Sequence, residues 1–210
     1  MKIIAHRGVT NSAPQNTMAA FLDAARQGYG VECDVRLTKD SVPVILHDDS
    51  LKRVVDDSRR LNQVSLSELE GILIEGQHPI PTLESVIKHV LPEAFVNFNI
   101  KEDEAVEPVL KLLKGADLSH GALLSAHSVG AVNRLQANFS AAAFVHSWLP
   151  IALIGAIRAK AKAVVIRDWA VNRWFIKRLV KAGYSVFVWG RAPDPNKLRA
   201  RGVSGLIKDI

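Results

Sequence analysis

Residues 30–49 read G-V-E-C-D-V-R-L-T-K-D-S-V-P-V-I-L-H-D-D. Two short runs in this stretch, 30–37 and 42–47, are bounded by turn residues and are expected to be strands. Lys39-Asp40 lies midway between Glu32 and His47. An antiparallel return about a two-residue turn then sets those two side chains opposite each other. The second run is accordingly a hairpin return extending off the top of the first, outside any parallel sheet.

Outward from this hairpin, further strands are expected at 2–6, 95–101, 122–126, 141–146, 163–167, 185–189 and 205–208. Helical stretches at 17–27, 81–90, 104–114, 128–136, 149–159, 171–182 and 196–200 alternate with them. In the first, Met18, Phe21, Leu22 and Ala25 share one face and Gly28 is the stop signal. With the hairpin return set aside, eight strands remain, and their alternation with helices predicts an α/β chain, a (β/α)8 TIM-type barrel with an extra hairpin after strand two. The last strand ends so near Ile210 that a final outer helix has no room. Without a linker, repeat or low-complexity segment, residues 1–210 are expected to form one domain.

Composition bounds the partners. With 210 residues, 48% of them hydrophobic, the chain can bury one good core and is short for two enzyme domains. The net charge of +6 and pI near 9.6 suit acidic ligands such as phosphate esters, and the basic residues read as spread along the chain. No aromatic-basic stripe points to nucleic acid, so none is expected as a partner. The single cysteine, Cys33, excludes an intrachain disulfide and a zinc ribbon. MKIIAHRG at the start carries no secretory hydrophobic region. The longest apolar stretch, 148–157, ends at Arg158. It is about half of the ~20 residues that a membrane span needs, so a buried helix is expected there. A soluble, cytoplasmic protein without a membrane span is expected; oligomeric state is not legible.

In such barrels the chemistry sits at the C-terminal ends of the strands. Glu32 and Asp34, two apart on one strand, point to the same face and aim two carboxylates into the mouth. Two such anions side by side are costly unless a hard divalent cation joins them, or unless they pair with Arg7 or Arg36. His6 ends strand one and His47 ends the hairpin. Two histidines across a phosphodiester can divide the work, one taking a proton and the other giving one. Arg7 and Lys101 can hold non-bridging oxygens. Asn97, Asn99 and Lys101 alternate on one strand, as active-site groups or as a polar plug in the barrel. Trp189, sharing a face with Phe187, serves equally as core packing or as an apolar wall for substrate.

These residues resemble the glycerophosphodiester phosphodiesterase family. His6-Arg7-Gly8, Pro14-Gln15-Asn16-Thr17 and the run from Glu32 to Val54 are similar to its H-R-G, P-E-N-T and E-x-D-V-x-x-T-x-D-x-x-P-V-x-x-H-D patterns. IPTLESV (80–86), Asn99-Ile100-Lys101, VFVWG (186–190) and GVSGLIKD (202–209) follow its later segments, so the resemblance covers nearly the whole chain. It implies a barrel that hydrolyses small-molecule glycerophosphodiesters to glycerol phosphate and an alcohol. It implies His6 and His47 as acid/base catalysts, and Glu32 and Asp34, with Asn99 at the third ligand position, on a divalent metal ion, Mg²⁺ or Ca²⁺ with Mn²⁺ as a further option. Arg7 and Lys101 would contact phosphate. In the family a free glycerol hydroxyl is thought to attack phosphorus, giving a cyclic phosphate that water opens.

Several positions depart from that pattern. Asn99 stands where a third metal carboxylate is usual, and Gln15 replaces the glutamate of P-E-N-T. Gly190 and Lys208 replace threonines. His127 occupies a normally aromatic position at the end of strand four, where it is expected to face substrate. Two other functions keep the same residues: a non-catalytic barrel that binds phosphodiesters or phospholipids, and a phospholipid lyase of the sphingomyelinase-D type. Turnover, and then a stable cyclic product, separates the three.

Overall fold

The computed structural model of the chain describes every residue except 147, 148, 192 and 193, and every side chain except those and the ones at 146, 149, 150, 170 and 173. Its elements are β1 (Lys2–His6), α1 (Met18–Arg26), β2 (Gly30–Leu37), β3 (Pro43–Ile45), α2 (Lys52–Val55), α3 (Leu66–Leu69), β4 (Leu73–Ile74), β5 (His78–Pro79), α4 (Leu83–His89) and β6 (Val96–Ile100). The second part comprises α5 (Val106–Leu113), β7 (Ala122–Ala126), α6 (Val129–Asn138), β8 (Ala142–His146), α7 (Leu149–Arg158), β9 (Ala163–Arg167), α8 (Arg173–Lys181), β10 (Ser185–Trp189), α9 (Pro195–Ala200) and β11 (Gly205–Lys208).

The eight parallel strands run β1-β2-β6-β7-β8-β9-β10-β11, and β11 pairs back onto β1 to close the barrel. Side-chain parity sorts the core into two layers. On β9, Ala163 and Val165 point inward, while Val164 and Ile166 pack outward under the helices. Val31, Cys33 and Val35 of β2 also point outward, so Glu32 and Asp34 must point in. Most helices start at a cap. The side chains of Thr17, Thr82, Ser128, Asn172 and Asp194 accept a backbone N–H from the first turn of α1, α4, α6, α8 and α9. Each such cap is worth about 1 kcal/mol.

The β2–β3 hairpin exists, but in a different register from the one expected. Val35 lies opposite Ile45, Arg36 opposite Val44 and Leu37 opposite Pro43. The loop has three residues, with Ser41 in the left-handed region at φ 62° and its N–H donating to Thr38 O at 3.0 Å. One additional loop residue moves the partner of every strand residue by one. Glu32 therefore does not face His47; its sheet neighbours are His6 and Asn97. β1 pairs with β2 only as far as Glu32, and β3 covers the edge that the upper part of β2 would otherwise expose.

The sequence reading places no element between residues 48 and 80. There α2, α3 and the β4–β5 hairpin enclose a second small core of Val44, Leu46, Leu51, Leu61, Leu69 and Ile74 beside the barrel mouth. The apolar stretch expected over 148–157 begins outside the described residues at Trp148; its described part is α7, whose Ala152 and Ala156 are buried while Ile151, Ile154 and Ile157 are exposed, so it is not the fully buried helix expected. Among the described residues no helix is long and apolar enough to cross a membrane.

Candidate active site

The first strand delivers its residues through a tight turn. Gly8 has φ 88°, and a Cβ there would lie 2.7 Å from the Ala20 side chain and 2.8 Å from its backbone. Only glycine lets the chain press this closely onto α1. Arg7 and Asn16 on either side also adopt left-handed backbone, each at φ 59°. The Asn16 N–H donates to Arg7 O at 2.9 Å, and the Arg7 N–H to Glu32 O at 3.0 Å and Glu32 Oε2 at 3.2 Å.

Asp34 is the hub and is fully buried. Its Oδ2 lies 3.0 Å from Arg7 Nε, off the hydrogen-bond direction, and accepts from Asn16 Nδ2 at 3.0 Å. Its Oδ1 lies 2.7 Å from Lys101 Nζ and accepts from Asn99 Nδ2 at 3.3 Å. Burial pushes this carboxyl up, yet Lys101 and Arg7 together outweigh burial and hold it below the ordinary range. The ion pair with Arg7 that the sequence left open is thus present. Arg36 turns elsewhere, donating to His47 O and lying 3.7 Å from Glu102.

Glu32 is the opposite case. Burial first, and the Asp34 charge second, push its carboxyl up to about 8, against a smaller pull from Lys101 and Arg7. Beside it, Asn99 Oδ1 is buried with no hydrogen-bond partner. A carboxyl that its neighbours only partly compensate and an orphaned carbonyl oxygen fit a hard divalent cation. Asp34 fits less well, because both of its oxygens are already engaged. Among the described residues no three His, Cys, Asp or Glu side chains are grouped as a metal site.

Both histidines are tethered by a carboxylate. The register of β1 on β11, Ala5 opposite Lys208, brings Asp209 alongside His6, and His6 Nδ1 lies 2.8 Å from Asp209 Oδ1. His6 Nε2 is 3.9 Å from Glu32 Oε2. His47 Nδ1 lies 2.5 Å from Asp48 Oδ1, and Arg53 holds the other Asp48 oxygen. Burial pushes Asp48 up, but Arg53 and His47 prevail and lower it to about 2. Burial lowers both imidazoles below their ordinary value, more than Asp209 and Asp48 raise them. Each ring thus has Nδ1 fixed by a carboxylate and Nε2 left for other partners.

A cavity of about 220 Å³ gathers the expected residues. His6, Arg7, Glu32, His47, Asn99, Lys101, His127 and Trp189 all line it, while Asp34 lies behind them as the anchor. Asn97 accepts from Ser125 Oγ at 2.9 Å on the cavity floor, so the polar plug and the site share one strand. The far wall is Val145, Val165 and Trp189. Trp189 stands 6.0 Å from the His6 ring and carries the Arg167 guanidinium 3.8 Å over its face. Two departures acquire a structural partner: Arg7 Nη1 donates to Gln15 Oε1 at 2.6 Å, and a Cβ on Gly190 would strike the Asp168 carboxylate at 2.4 Å. Asp48, Asp209 and Asn16 had no role assigned from sequence. Their signal lay inside the quoted motifs, but their targets appear only when the barrel closes.

A family model described as the glycerophosphoryl diester phosphodiesterase family matches residues 6–120, more than half of the chain. The Bacillus subtilis (strain 168) protein YhdW, named for glycerophosphodiester phosphodiesterase activity, is 30% identical over 237 residues, spanning all of this chain and 94% of its own. The chain belongs to the glycerophosphoryl diester phosphodiesterase family. Among solved structures, an Oleispira antarctica phosphodiesterase in complex with the product sn-glycerol-3-phosphate superposes with a TM-score of 0.88 at 26% identity, covering 100% of this chain and 93% of that one. The Thermotoga maritima glycerophosphodiester phosphodiesterase gives 0.79 at 26% identity, with 99% and 93% covered. As a glycerophosphodiester phosphodiesterase, the chain is an enzyme on the barrel fold of its solved relatives.

Proposed function

We propose that this enzyme hydrolyses glycerophosphodiesters to glycerol phosphate and an alcohol, with His6 and His47 moving the protons. The observation that carries this reading is the pair of carboxylate-tethered imidazoles lining one cavity beside Glu32. Burial favours the neutral ring and the carboxylate at Nδ1 the charged one. One ring enters neutral and takes at Nε2 the proton of the attacking hydroxyl, and the other enters protonated and gives its Nε2 proton to the departing alcohol oxygen. Asp209 and Asp48 stabilise whichever ring is charged. Arg7 and Lys101, already drawn to Asp34, present positive charge at the cavity wall for the phosphoryl oxygens. Trp189 and His127 bound the space for the rest of the substrate.

Glu32 and Asn99 would hold a divalent cation, Mg²⁺, Ca²⁺ or Mn²⁺, and Asp34 would join them if Lys101 or the Asn99 amide released an oxygen. Such an ion neutralises charge that builds on the phosphoryl oxygens. The Oleispira relative, bound to its product, supports a substrate of glycerol-phosphate type. Release of glycerol 3-phosphate from a panel of glycerophosphodiesters, in EDTA and then with each metal, tests the reading. Metal-dependent release that His6→Ala abolishes is expected. A folded enzyme that turns over no member with any metal would overturn it in favour of a binding barrel, and accumulation of a stable cyclic phosphate in favour of a lyase.

A further inference from the structure

Positive charge is concentrated in one part of the chain rather than spread evenly. Residues 149–182 hold eight Lys and Arg and a single acid, Asp168, whereas the other 176 residues hold nineteen and twenty. The whole of the net charge of +6 therefore resides in a segment that contains α7 and α8. Arg158, Lys160, Lys162, Lys177, Arg178 and Lys181 are all exposed, and none forms an ion pair among the described residues.

The same segment breaks the usual rule for an outer helix. Eight large hydrophobic side chains are exposed in the described structure, and five fall between residues 151 and 174: Ile151, Ile154, Ile157, Trp169 and Trp174. On α7, Ala152 and Ala156 face the core, and the isoleucines recur every third residue outside, where a solvated helix carries Lys or Glu. On α8, Ile176 and Leu179 are buried while Trp174 is 64% exposed. Ile157, Trp174, Phe175 and Arg178 line one groove between the two helices, with the Arg178 guanidinium 4.9 Å over the Trp174 ring.

We propose that the α7–α8 face docks this enzyme on an anionic phospholipid surface. Exposed Trp and Ile flanked by unpaired Lys and Arg are the composition of an interfacial binding face, its rings at headgroup level and its cations on lipid phosphates. A second copy of the chain is disfavoured as occupant, because a self-complementary contact would bring like charges together. Nucleic acid would use the cations but leave the isoleucine stripe in water. The two helices follow β8 and β9, and Trp169 lies two residues beyond the end of β9. Arg158, Lys160, Lys162, Arg178 and Lys181 lie at the other end of the two helices, so the face runs along the flank of the barrel and leaves the cavity mouth open to solvent.

The test is co-sedimentation of the full chain with vesicles of phosphatidylcholine alone and of phosphatidylcholine mixed with phosphatidylglycerol, with a duplex oligonucleotide and sedimentation velocity as parallel arms. Binding to the mixed vesicles only is expected, lost as salt rises. Lys177→Glu with Lys181→Glu should weaken it by about tenfold or more, and Trp174→Ser should weaken it at all salts. Turnover of a soluble glycerophosphodiester in the Lys177/Lys181 variant should stay unchanged, which shows folding; that variant decides should Trp174→Ser not fold. Equal affinity for both vesicles, no binding to either, preference for the oligonucleotide, or self-association lost in Trp174→Ser would overturn the proposal.

Discussion

The side of the cavity built by β1, β2 and β6 and the side built by β8, β9 and β10 are made of different materials. The first holds Arg7, Glu32, Asp34, Asn99 and Lys101, in which each buried charge is positioned by another. The second holds Val145, Val165 and Trp189, where shape and one cation–π contact are all that is needed. Likeness to the family model, over residues 6–120, falls on the first side and stops before the second. Chemistry requires particular groups at fixed spacings, whereas a wall requires only volume and apolarity.

The largest effect should come from the histidines. His6→Ala or His47→Ala is expected to lower kcat by about 10³-fold, the scale of a lost general acid or base. Val165→Ala, on the other side, should leave kcat within about threefold, since its loss removes packing only. A steady-state comparison in which the valine variant loses as much as the histidine variants would remove the division between the two sides.

Glu32 gives a pH signature that the apolar side cannot give. Its folded carboxyl is raised to about 8 from an ordinary 4.5. The folded protein then keeps a proton that the unfolded chain releases in that window, so stability falls as pH rises through it. His6 and His47 have lowered values, so their contribution has the opposite sign and is complete above their ordinary 6.5. The Glu32 effect is therefore read cleanly between about pH 6.5 and 8 in metal-free buffer. Tm should decline over that interval in the native chain and stay level in Glu32→Gln. An unchanged slope in the variant would show that another group carries the dependence. Added Mg²⁺ or Ca²⁺ should recover Tm most at the alkaline end, where Glu32 is ionised.

The eight strands were legible because each is a short apolar run between turns, and the inward aim of Glu32 and Asp34 follows from parity alone. The hairpin was legible as a hairpin, but its register was not. A two-residue and a three-residue loop differ by whether Ser41 adopts φ 62°, which serine does without a compositional signal. The lobe between Asp48 and Ile80 was missed since α2 and α3 have four residues each, too short for a helical period to show. Long-range partners were the least visible part of the site. Asp209 is 203 residues from His6 and reaches it only because β11 returns to β1.

Asp209 also offers a finer probe of the polar side. Its carboxylate raises the His6 value, in opposition to burial. Asp209→Asn should therefore lower it further and carry one limb of kcat/KM to lower pH, the acidic limb where His6 is the base, with kcat reduced by about tenfold. Asp48→Asn should carry the other limb the same way through His47. A uniform fall in rate with an unmoved pH profile would assign these aspartates to packing instead.

The smallest effect belongs to Trp189, and it decides how separate the two sides are. The indole lines the cavity, yet it also stands 6.0 Å from the His6 ring at an interplanar angle of 58°. If it is a wall, Trp189→Ala removes contact with substrate equally in the bound and transition states, raising KM by about two- to tenfold with kcat retained. If it is instead a support for the imidazole, kcat falls and the pH profile moves as it does in Asp209→Asn. Trp189→Phe keeps a flat apolar surface but loses area, so it should restore most of KM under the first account. His6 is already held at Nδ1 by Asp209, and one firm tether is enough to orient a ring that needs only Nε2 free. The KM effect is accordingly the expected one.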